Sequence, residues 1–434
     1  MIENDLRIKA GQGMKSDPLG DVAAFVAHDQ ADCGFHARPP AGIIHVSTMG
    51  NLANQMIQYM VAVRLSDEVV ARGGARPAIS NVDLAPFGIH HPLLAHDPAA
   101  TCCVTSAELD LSALADTLAS GTFDCVDIRS YAQKIVNFPG LARARELFAQ
   151  DQAGESEIFD DELLCSIRGG EILDARHPDY VLIPPLYYAD LARVSGLRPV
   201  FMGQIEGNAY IGALRALFPE ARFLPSEGAA RDFARIRQAR HVVPAISTFS
   251  WLAAWLGEAE TIYLPVLGLF NPLQSPGTDL LPAVDQRFRF YQFPFHFAVP
   301  IDQVARAHTA IGRSWRPVMY SQIHKVAARP RDLASLLTQF DEQEYRSLHP
   351  DVGAAVDGGH FPSARHHFIH HGFGEGRAPF LLDAAYYCTE YGLAAREMSE
   401  GDYPDLWHHY VLTGHDRGYR RTCPAPDHLS GPVE

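Results

Sequence analysis

The chain has 434 residues, of which 47% are hydrophobic and 20% charged, and its formal net charge is −15. This is the composition of a globular protein with two or three domains, and its acidity argues against a nucleic-acid partner because phosphate backbones are repelled. The seven cysteines are scattered without zinc-like spacing, which favours a reducing cytoplasm. No stretch approaches the roughly 20 apolar residues of a membrane span. The predicted location is therefore cytoplasmic, with peripheral association at the inner membrane left open.

The first part of the chain predicts a loose arm followed by an α/β unit. Residues 1–39 show no clear periodicity, apart from a short predicted helix over Val22–Ala27. Residues 40–155 then alternate β-branched apolar runs with segments of helical periodicity. The predicted strands are Gly42–Val46, Pro77–Leu84 and Cys125–Ile128, and the predicted helices are Asn54–Leu65, Leu111–Ala119 and Leu141–Phe148.

A second α/β series fills residues 156–330, after an acidic predicted linker at Asp151–Asp161. Alternating strands and helices of this length predict a parallel, doubly wound sheet, in which ligands bind beyond the carboxyl ends of the strands. Both Arg168 and Ser247 fall at such ends. The predicted strands are Leu163–Ile167, Pro199–Met202, Arg222–Leu224, His241–Ile246 and Thr261–Pro265, and the helices are Tyr187–Val194, Ala209–Leu217, Ala229–Ala239 and Phe249–Leu256.

The last part, residues 335–425, is a tandem repeat of 42 positions. Positions 340–377 recur at 382–419 without a gap, so that Tyr345 matches Tyr387 and Gly372 matches Gly414. Each unit predicts a short helix around the tyrosine and a second helix around a His-His-aromatic triplet, ending at glycine. Four histidines of the first unit include the i, i+4 spacing of zinc ligands, but the second unit keeps only two of them. We therefore expect packing or surface histidines and no metal site; they are His366, His367, His370 and His371, against His408 and His409.

Three segments carry groups that can hold a phosphate. Around Arg168, a guanidinium stands beside Gly169 and Gly170, and it would stabilise the charge that grows on a leaving diphosphate. Its structural alternative is a surface arginine in a glycine turn. Hydroxyls at 247, 248 and 250 lie where a helix begins, as do the amides of Asn54 and Gln55. Their structural alternative is ordinary helix capping.

Taken in order, the segments G-N-L-A-N-Q-M-I-Q-Y (50–59), S-I-R-G-G-E (166–171) and I-S-T-F-S-W-L-A-A-W-L (246–256) resemble the motifs of the α-1,2-fucosyltransferase family. The resemblance covers about residues 42–270. It implies an α/β fold with a GT-B-like pair of Rossmann-like domains, an acceptor-side domain at 40–155 and a nucleotide-sugar-binding domain at 156–330. It also implies an inverting, metal-independent transfer of fucose from GDP-fucose, with no cofactor besides this donor. The partners implied are a nucleotide sugar and a glycan or lipid-linked saccharide acceptor.

The resemblance implies contact between the donor and Asn54, Arg168, Ser247 and Thr248. The full predicted donor set is Gly50, Asn54, Gln55, Arg168, Gly170, Glu206, Ser247, Thr248, Phe249 and Ser250. Arg168 is also the predicted catalytic residue, and a base that takes the acceptor proton is sought at Asp83, His45 or His90. The C-terminal repeats resemble those appended to bacterial polysaccharide glycosyltransferases.

The chain departs from the family pattern in its central motif. Ser166 replaces histidine, Gly169 replaces a second arginine and Glu171 replaces aspartate. The usual acidic segment is replaced by Met202–Asn208, in which Glu206 is the candidate for reading a base or ribose. These departures leave two alternatives open: an enzyme that uses another nucleotide sugar, and a non-catalytic carbohydrate-binding or scaffold protein on a degenerate transferase fold. The sequence does not specify the acceptor, the linkage or the oligomeric state.

Overall fold

A computed structural model describes residues 42–149, 157–175, 177–323 and 330–424 of the chain. The predicted N-terminal arm with its helix Val22–Ala27 lies outside the described residues, as do positions 151–156 of the predicted linker. The predicted domain boundaries stay predictions.

The first α/β unit contains a four-stranded parallel sheet with the order β2-β1-β6-β5. Buried apolar side chains recur at helical spacing along α1, which is longer than predicted because it runs on to Ala71. The predicted strand Pro77–Leu84 is in fact two strands, because Asn81 adopts a left-handed φ of 65° that breaks the extended run. Its second half forms a separate antiparallel hairpin, β3-β4. The strands are β1 Ile43–Val46, β2 Ala78–Ser80, β3 Val82–Leu84, β4 Ile89–His91, β5 Thr101–Val104 and β6 Cys125–Ile128, and the helices are α1 Leu52–Ala71, α2 Leu111–Ala119 and α3 Leu141–Leu147.

The second α/β unit contains a seven-stranded sheet with the order β13-β12-β11-β10-β7-β8-β9. All neighbours are parallel except β12 and β13. Each of the nine elements predicted for this region has a counterpart, whereas β12, β13, α8 and α9 were not predicted. The strands are β7 Glu162–Ile167, β8 Arg198–Gly203, β9 Arg222–Pro225, β10 His241–Val243, β11 Thr261–Val266, β12 Phe288–Gln292 and β13 Arg316–Val318, and the helices are α4 Pro185–Ser195, α5 Ala209–Leu217, α6 Ala229–Gln238, α7 Thr248–Leu256, α8 Val304–Ile311 and α9 Tyr320–Ile323.

The strand order of the second sheet reverses between β7 and β10. Strands β8 and β9 follow β7 on one side, and β11 and β12 follow β10 on the other. This reversal is the topological switch point at which Rossmann-like sheets bind ligands. The predicted fold class, an α/β fold with a GT-B-like pair of Rossmann-like units and a small all-α region, is confirmed.

Helix α7 belongs to the second unit by sequence but also packs against the first. The ring of Phe138 contacts Trp255 with a centroid distance of 5.8 Å. At the helix end, Arg145 from α3 donates to the carbonyl oxygen of Leu256 over 3.0 Å, and Arg287 donates to that of Trp255 over 2.9 Å. Two guanidinium groups therefore satisfy carbonyl groups that a helix end leaves open, and one of them comes from the first unit.

The C-terminal region is all-helical, and each repeat has three helices rather than the two predicted, because α12 and α15 lie between the predicted pair. The last helix of each repeat continues into a π-helical turn. The Tyr387 hydroxyl lies 2.9 Å from His409 Nδ1, and the equivalent Tyr345 hydroxyl lies 3.2 Å from His367 Nδ1. The helices are α10 Leu333–Leu337, α11 Glu342–Leu348, α12 Pro350–Asp357, α13 Ala364–His367, α14 Ala384–Glu390, α15 Gly392–Glu400 and α16 Leu406–His409.

Candidate functional site

A cleft of about 430 Å³ opens at the switch point of the second sheet and is closed on one side by the start of α1. Its walls come from the carboxyl ends of β7 and β8, the segment between β9 and α6, and the segment between β10 and α7. The described lining residues are Asn51–Asn54, Ser166–Arg168, Tyr180, Met202–Gln204, Ser226, Ala229, Asp232, Ile236, Ala245 and Ser247–Ser250.

The start of α7 forms one wall. Ser247 is the N-cap residue of this helix, and its hydroxyl oxygen accepts from the backbone N–H of Phe249 over 3.2 Å. The Ser250 hydroxyl donates to the carbonyl oxygen of Ala245 over 3.2 Å. These two hydroxyls therefore hold the turn in place, as the capping alternative supposed, and Ser247–Ser250 line the cleft.

Asn54 joins the two α/β units across the cleft. Its Oδ1 accepts from the Thr248 hydroxyl and from Nε2 of Gln133, both over 2.9 Å. Gly50 makes this position possible, because its φ of 68° is left-handed and a Cβ on it would overlap the amide of Asn54. The first turn of α1 and the first turn of α7 are therefore bonded to each other at the cleft.

Arg168 supplies positive charge at the end of β7. Its half-buried guanidinium lies over the ring of Tyr180, 4.5 Å from the centroid. Stacking on an aromatic face orients a planar guanidinium. Among the described residues that line the cleft, Arg168 is the one cation and Asp232 the one carboxylate.

The carboxylate of Asp232 has a structural role in the turn before α6. Its Oδ2 accepts from the Ser226 hydroxyl over 2.5 Å, and its Oδ1 accepts from the backbone N–H of Glu227 over 3.1 Å. This carboxylate therefore fixes the turn between β9 and α6, and part of its charge is compensated by these donors.

Three helices begin at the cleft: α1, α6 and α7. The N-cap residues of α1 and α6, Asn51 and Gly228, make no side-chain capping hydrogen bond. In the first turn of α1 the N–H of Asn54 donates to the carbonyl oxygen of Asn51 over 2.9 Å. The first turns of α1 and α6 thus have no side-chain cap, and their N–H groups carry the partial positive charge of the helix dipole. Together with Arg168, they make a site that favours a multiply charged anion.

The glycine pair after Arg168 has a packing role. The N–H of Gly170 donates to Oε1 of Gln204 over 3.0 Å, and a Cβ on Gly169 would lie 2.5 Å from the Gln204 carbonyl oxygen. The close approach that these glycines allow is therefore to the loop after β8. Gly170 itself does not line the cleft.

Six of the predicted donor residues line one cleft: Asn54, Arg168, Ser247, Thr248, Phe249 and Ser250. Their positions in the sequence span almost 200 residues, so the fold brings them together. The structure adds Tyr180, Gln204 and Asp232 to the lining, and it adds Gln133 behind Asn54. Gln204 stands in the segment Met202–Asn208 that the sequence singled out, although Glu206 was the residue chosen there. No local sequence pattern marks the other three, because each lies in a loop or on a helix whose role depends on a distant neighbour.

Other predicted residues lie outside the lining. Gln55 folds back to donate to the carbonyl oxygen of Gly50 over 2.9 Å, and Glu206 is exposed. Asp83 is exposed on the β3-β4 hairpin. His45 lies inside the first sheet, 3.4 Å from the Ser80 hydroxyl, where burial lowers its pKa. His90 is exposed on β4 beside Asp83, and none of the three predicted bases lines the cleft.

Within the described ranges, no helix combines the length and the apolar character that crossing a bilayer requires. The same ranges contain no group of three or more histidine, cysteine, aspartate or glutamate side chains arranged to hold a metal ion.

No known family model matches this chain, and no curated protein matches it. Among solved structures, it is similar to a mutant of Arabidopsis thaliana FUT1 in complex with GDP, with 11% sequence identity and a TM-score of 0.32. That similarity covers 52% of this chain and 72% of the FUT1 chain.

Proposed function

We propose that this protein is a glycosyltransferase whose cleft binds the diphosphate of a nucleotide sugar. The observation that carries the proposal is the convergence of Arg168 and three helix N-termini on one cleft at a sheet switch point. GDP-fucose is the proposed donor because of the motif resemblance, and a glycan or lipid-linked saccharide is the proposed acceptor. The donor is a co-substrate, and no further cofactor is proposed.

The proposed reaction is an inverting transfer. An acceptor hydroxyl attacks the anomeric carbon as the bond from that carbon to the phosphate oxygen breaks, and the nucleoside diphosphate leaves with the bonding electrons. The hydroxyl proton passes to water or to the leaving diphosphate, because the one carboxylate of the described lining, Asp232, is bonded to Ser226 and Glu227. Negative charge grows on the leaving oxygen, so donors held in place beforehand stabilise the transition state more than the ground state. Arg168 and the N–H groups of α1 and α7 supply such donors without a metal ion.

A second candidate, a binding protein without transferase activity, is favoured by the lack of a free base in the described lining. An inverting transfer needs a group that takes the acceptor proton. Asp83 and His45 lie outside the lining, and Asp232 is bonded to Ser226. This cleft would then hold a nucleotide sugar or a related glycan phosphate without transferring it.

The first test measures thermal stability with GDP, UDP, CMP and dTDP, because a ligand that binds the folded state stabilises it by mass action. We expect GDP to raise the melting temperature most. A larger rise with another nucleotide would assign the donor to a sugar carried by that nucleotide instead of GDP. No rise with any of the four nucleotides would contradict the proposal.

The second test separates the enzyme from the binding protein. GDP-fucose is incubated with the chain, and released GDP is measured with and without saccharide acceptors. Release that is abolished by Arg168→Ala supports the enzyme. Binding of GDP without release from any sugar nucleotide supports the binding protein.

A further inference from the structure

Each repeat has a groove at the same position between its first two helices. This groove is filled in the second repeat and open in the first. In the second repeat, the groove runs between α14 and α15 and is filled by helix α8 and the segment before it. The backbone N–H of Phe295 donates to the carbonyl oxygen of Ala395 over 2.9 Å, and Arg306 forms an ion pair with Glu390 at the rim. Cys388, on the groove wall, is buried. The groove residues that face α8 and Phe295 are Cys388, Thr389, Gly392, Ala395 and Arg396.

In the first repeat, the equivalent groove runs between α11 and α12 and is open, with a volume of about 750 Å³. Five of its lining residues stand 42 positions before the five that face α8 in the second repeat. Nothing in the described part of the chain fills this space. The described lining residues are Glu342, Gln343, Arg346, Ser347, Pro350, Gly353, Ala354 and Asp357.

The shape of the open groove suits a helix. Gly353 and Ala354 give it a floor of small side chains, and the long side chain of Arg346 is bonded to Asp357 over 2.5 Å. A floor of small residues lets another helix approach closely and make many dispersion contacts. No aromatic ring on which a sugar could stack is found in its described lining, so a helix fits this groove better than a glycan does.

Helix α8 shows what the groove of a repeat receives. It presents Ala307, Ala310 and Ile311, which are the i, i+3 and i+4 positions of one helix face, and Arg306 precedes them. At the exposed rim of the open groove, Asp357 is paired with Arg346 and Glu342 accepts one backbone N–H, from Ala364. Glu342 is therefore the carboxylate of the described lining with which a basic side chain of an incoming helix would pair.

We propose that the open groove of the first repeat, between α11 and α12, docks an α-helix of a partner protein. This helix carries apolar side chains no larger than isoleucine at i, i+3 and i+4, preceded by a basic residue. In this proposal the first repeat binds the partner helix. The second repeat, whose groove holds α8, attaches both repeats to the second α/β unit. The proposal is independent of the nucleotide-sugar cleft.

The test uses a fluorescein-labelled peptide with the sequence of residues 300–314, which includes α8, and the full-length chain. The second-repeat groove is filled by the chain's own α8, so the first-repeat groove is the one available to the peptide. We expect saturable binding in fluorescence anisotropy. Ala354→Trp and Ser347→Trp place a large ring in the groove from exposed positions, and each is expected to weaken binding at least about 10-fold. The matched control is Val284→Trp, since Val284 is 93% exposed and lies outside the groove.

Absence of saturable binding, or equal affinity in all three variants and the parent, overturns the proposal. Sedimentation velocity of the chain alone identifies the other occupant. A dimer that Ala354→Trp and Ser347→Trp both dissociate would assign the groove to a second copy of this chain and overturn its assignment to a partner protein.

Discussion

Replacing Arg168 by alanine is expected to weaken nucleotide diphosphate binding while leaving the fold intact. The guanidinium is half-buried in the cleft and is the one cation among its described lining residues, so its charge is not replaced by a neighbour. Hydrogen bonds that involve a charged group contribute about 1.5–3 kcal/mol each, and about 1.4 kcal/mol changes affinity tenfold. Removing one such hydrogen bond to the diphosphate of GDP therefore weakens binding about 10- to 100-fold. Isothermal titration calorimetry with GDP measures the change.

Two variants serve as controls for this prediction. Arg198→Ala removes the same side chain at the other end of the second sheet, where Arg198 forms an exposed ion pair with Asp161, and GDP affinity should not change. Arg168→Lys keeps the charge but removes the planar group that stacks on Tyr180, so an intermediate affinity is expected. A decrease in affinity below about threefold for Arg168→Ala would refute the assignment of this arginine to the diphosphate.

Three further predictions concern stability. Burial lowers the pKa of His308 to about 4, so between about pH 6.5 and 4 the unfolded chain binds a proton that the folded chain does not. The free energy of unfolding, measured by urea titration, should fall as the pH drops through this window, and less steeply in His308→Leu. Tyr387→Phe removes the buried hydrogen bond to His409 and should cost about 1–2 kcal/mol in the same assay; no loss would argue against this bond. Gly50→Ala forces a left-handed φ on alanine and displaces Asn54, so we expect a loss of about 1–2 kcal/mol. A lower GDP affinity should accompany it, and unchanged stability would contradict the described turn.

Much of the second sheet could be predicted because its central strands are buried on both faces. Strands β7 and β11 are nearly continuous apolar runs, which is the pattern that parallel strands covered by helices require. Strand β13 escaped prediction because it has three residues, Arg316–Val318, on the sheet edge and no apolar run. Helices α12 and α15 escaped it because they begin at Pro350 and Gly392, residues that indicate turns when no neighbouring structure is known.

The candidate cleft was predictable only in part. Asn54, Arg168 and Thr248 stand in motifs whose residue types suit a phosphate, so their roles could be proposed without coordinates. Gln133 and Tyr180 stand in no such motif. Gln133 reaches Asn54 from 79 positions away, and the orientation of Arg168 depends on a ring from a separate loop. Such contacts join residues that are far apart in the sequence and form only in the tertiary structure. Local periodicity predicts secondary structure and carries no information about them.

The two attachments of α7 determine which side of the cleft can admit a ligand. The helix is bonded to the first α/β unit at its start, through Thr248 and Asn54, and at its end, through Arg145. Parting the two units along this helix would break both attachments and expose the Phe138 ring. For the proposed nucleotide sugar, this leaves the opposite side of the cleft, past the loops that follow β8 and β9, as the expected route of entry and release. Helix α7 is then a fixed wall of the cleft, and we expect ligand exchange to depend on those loops rather than on separation of the two units.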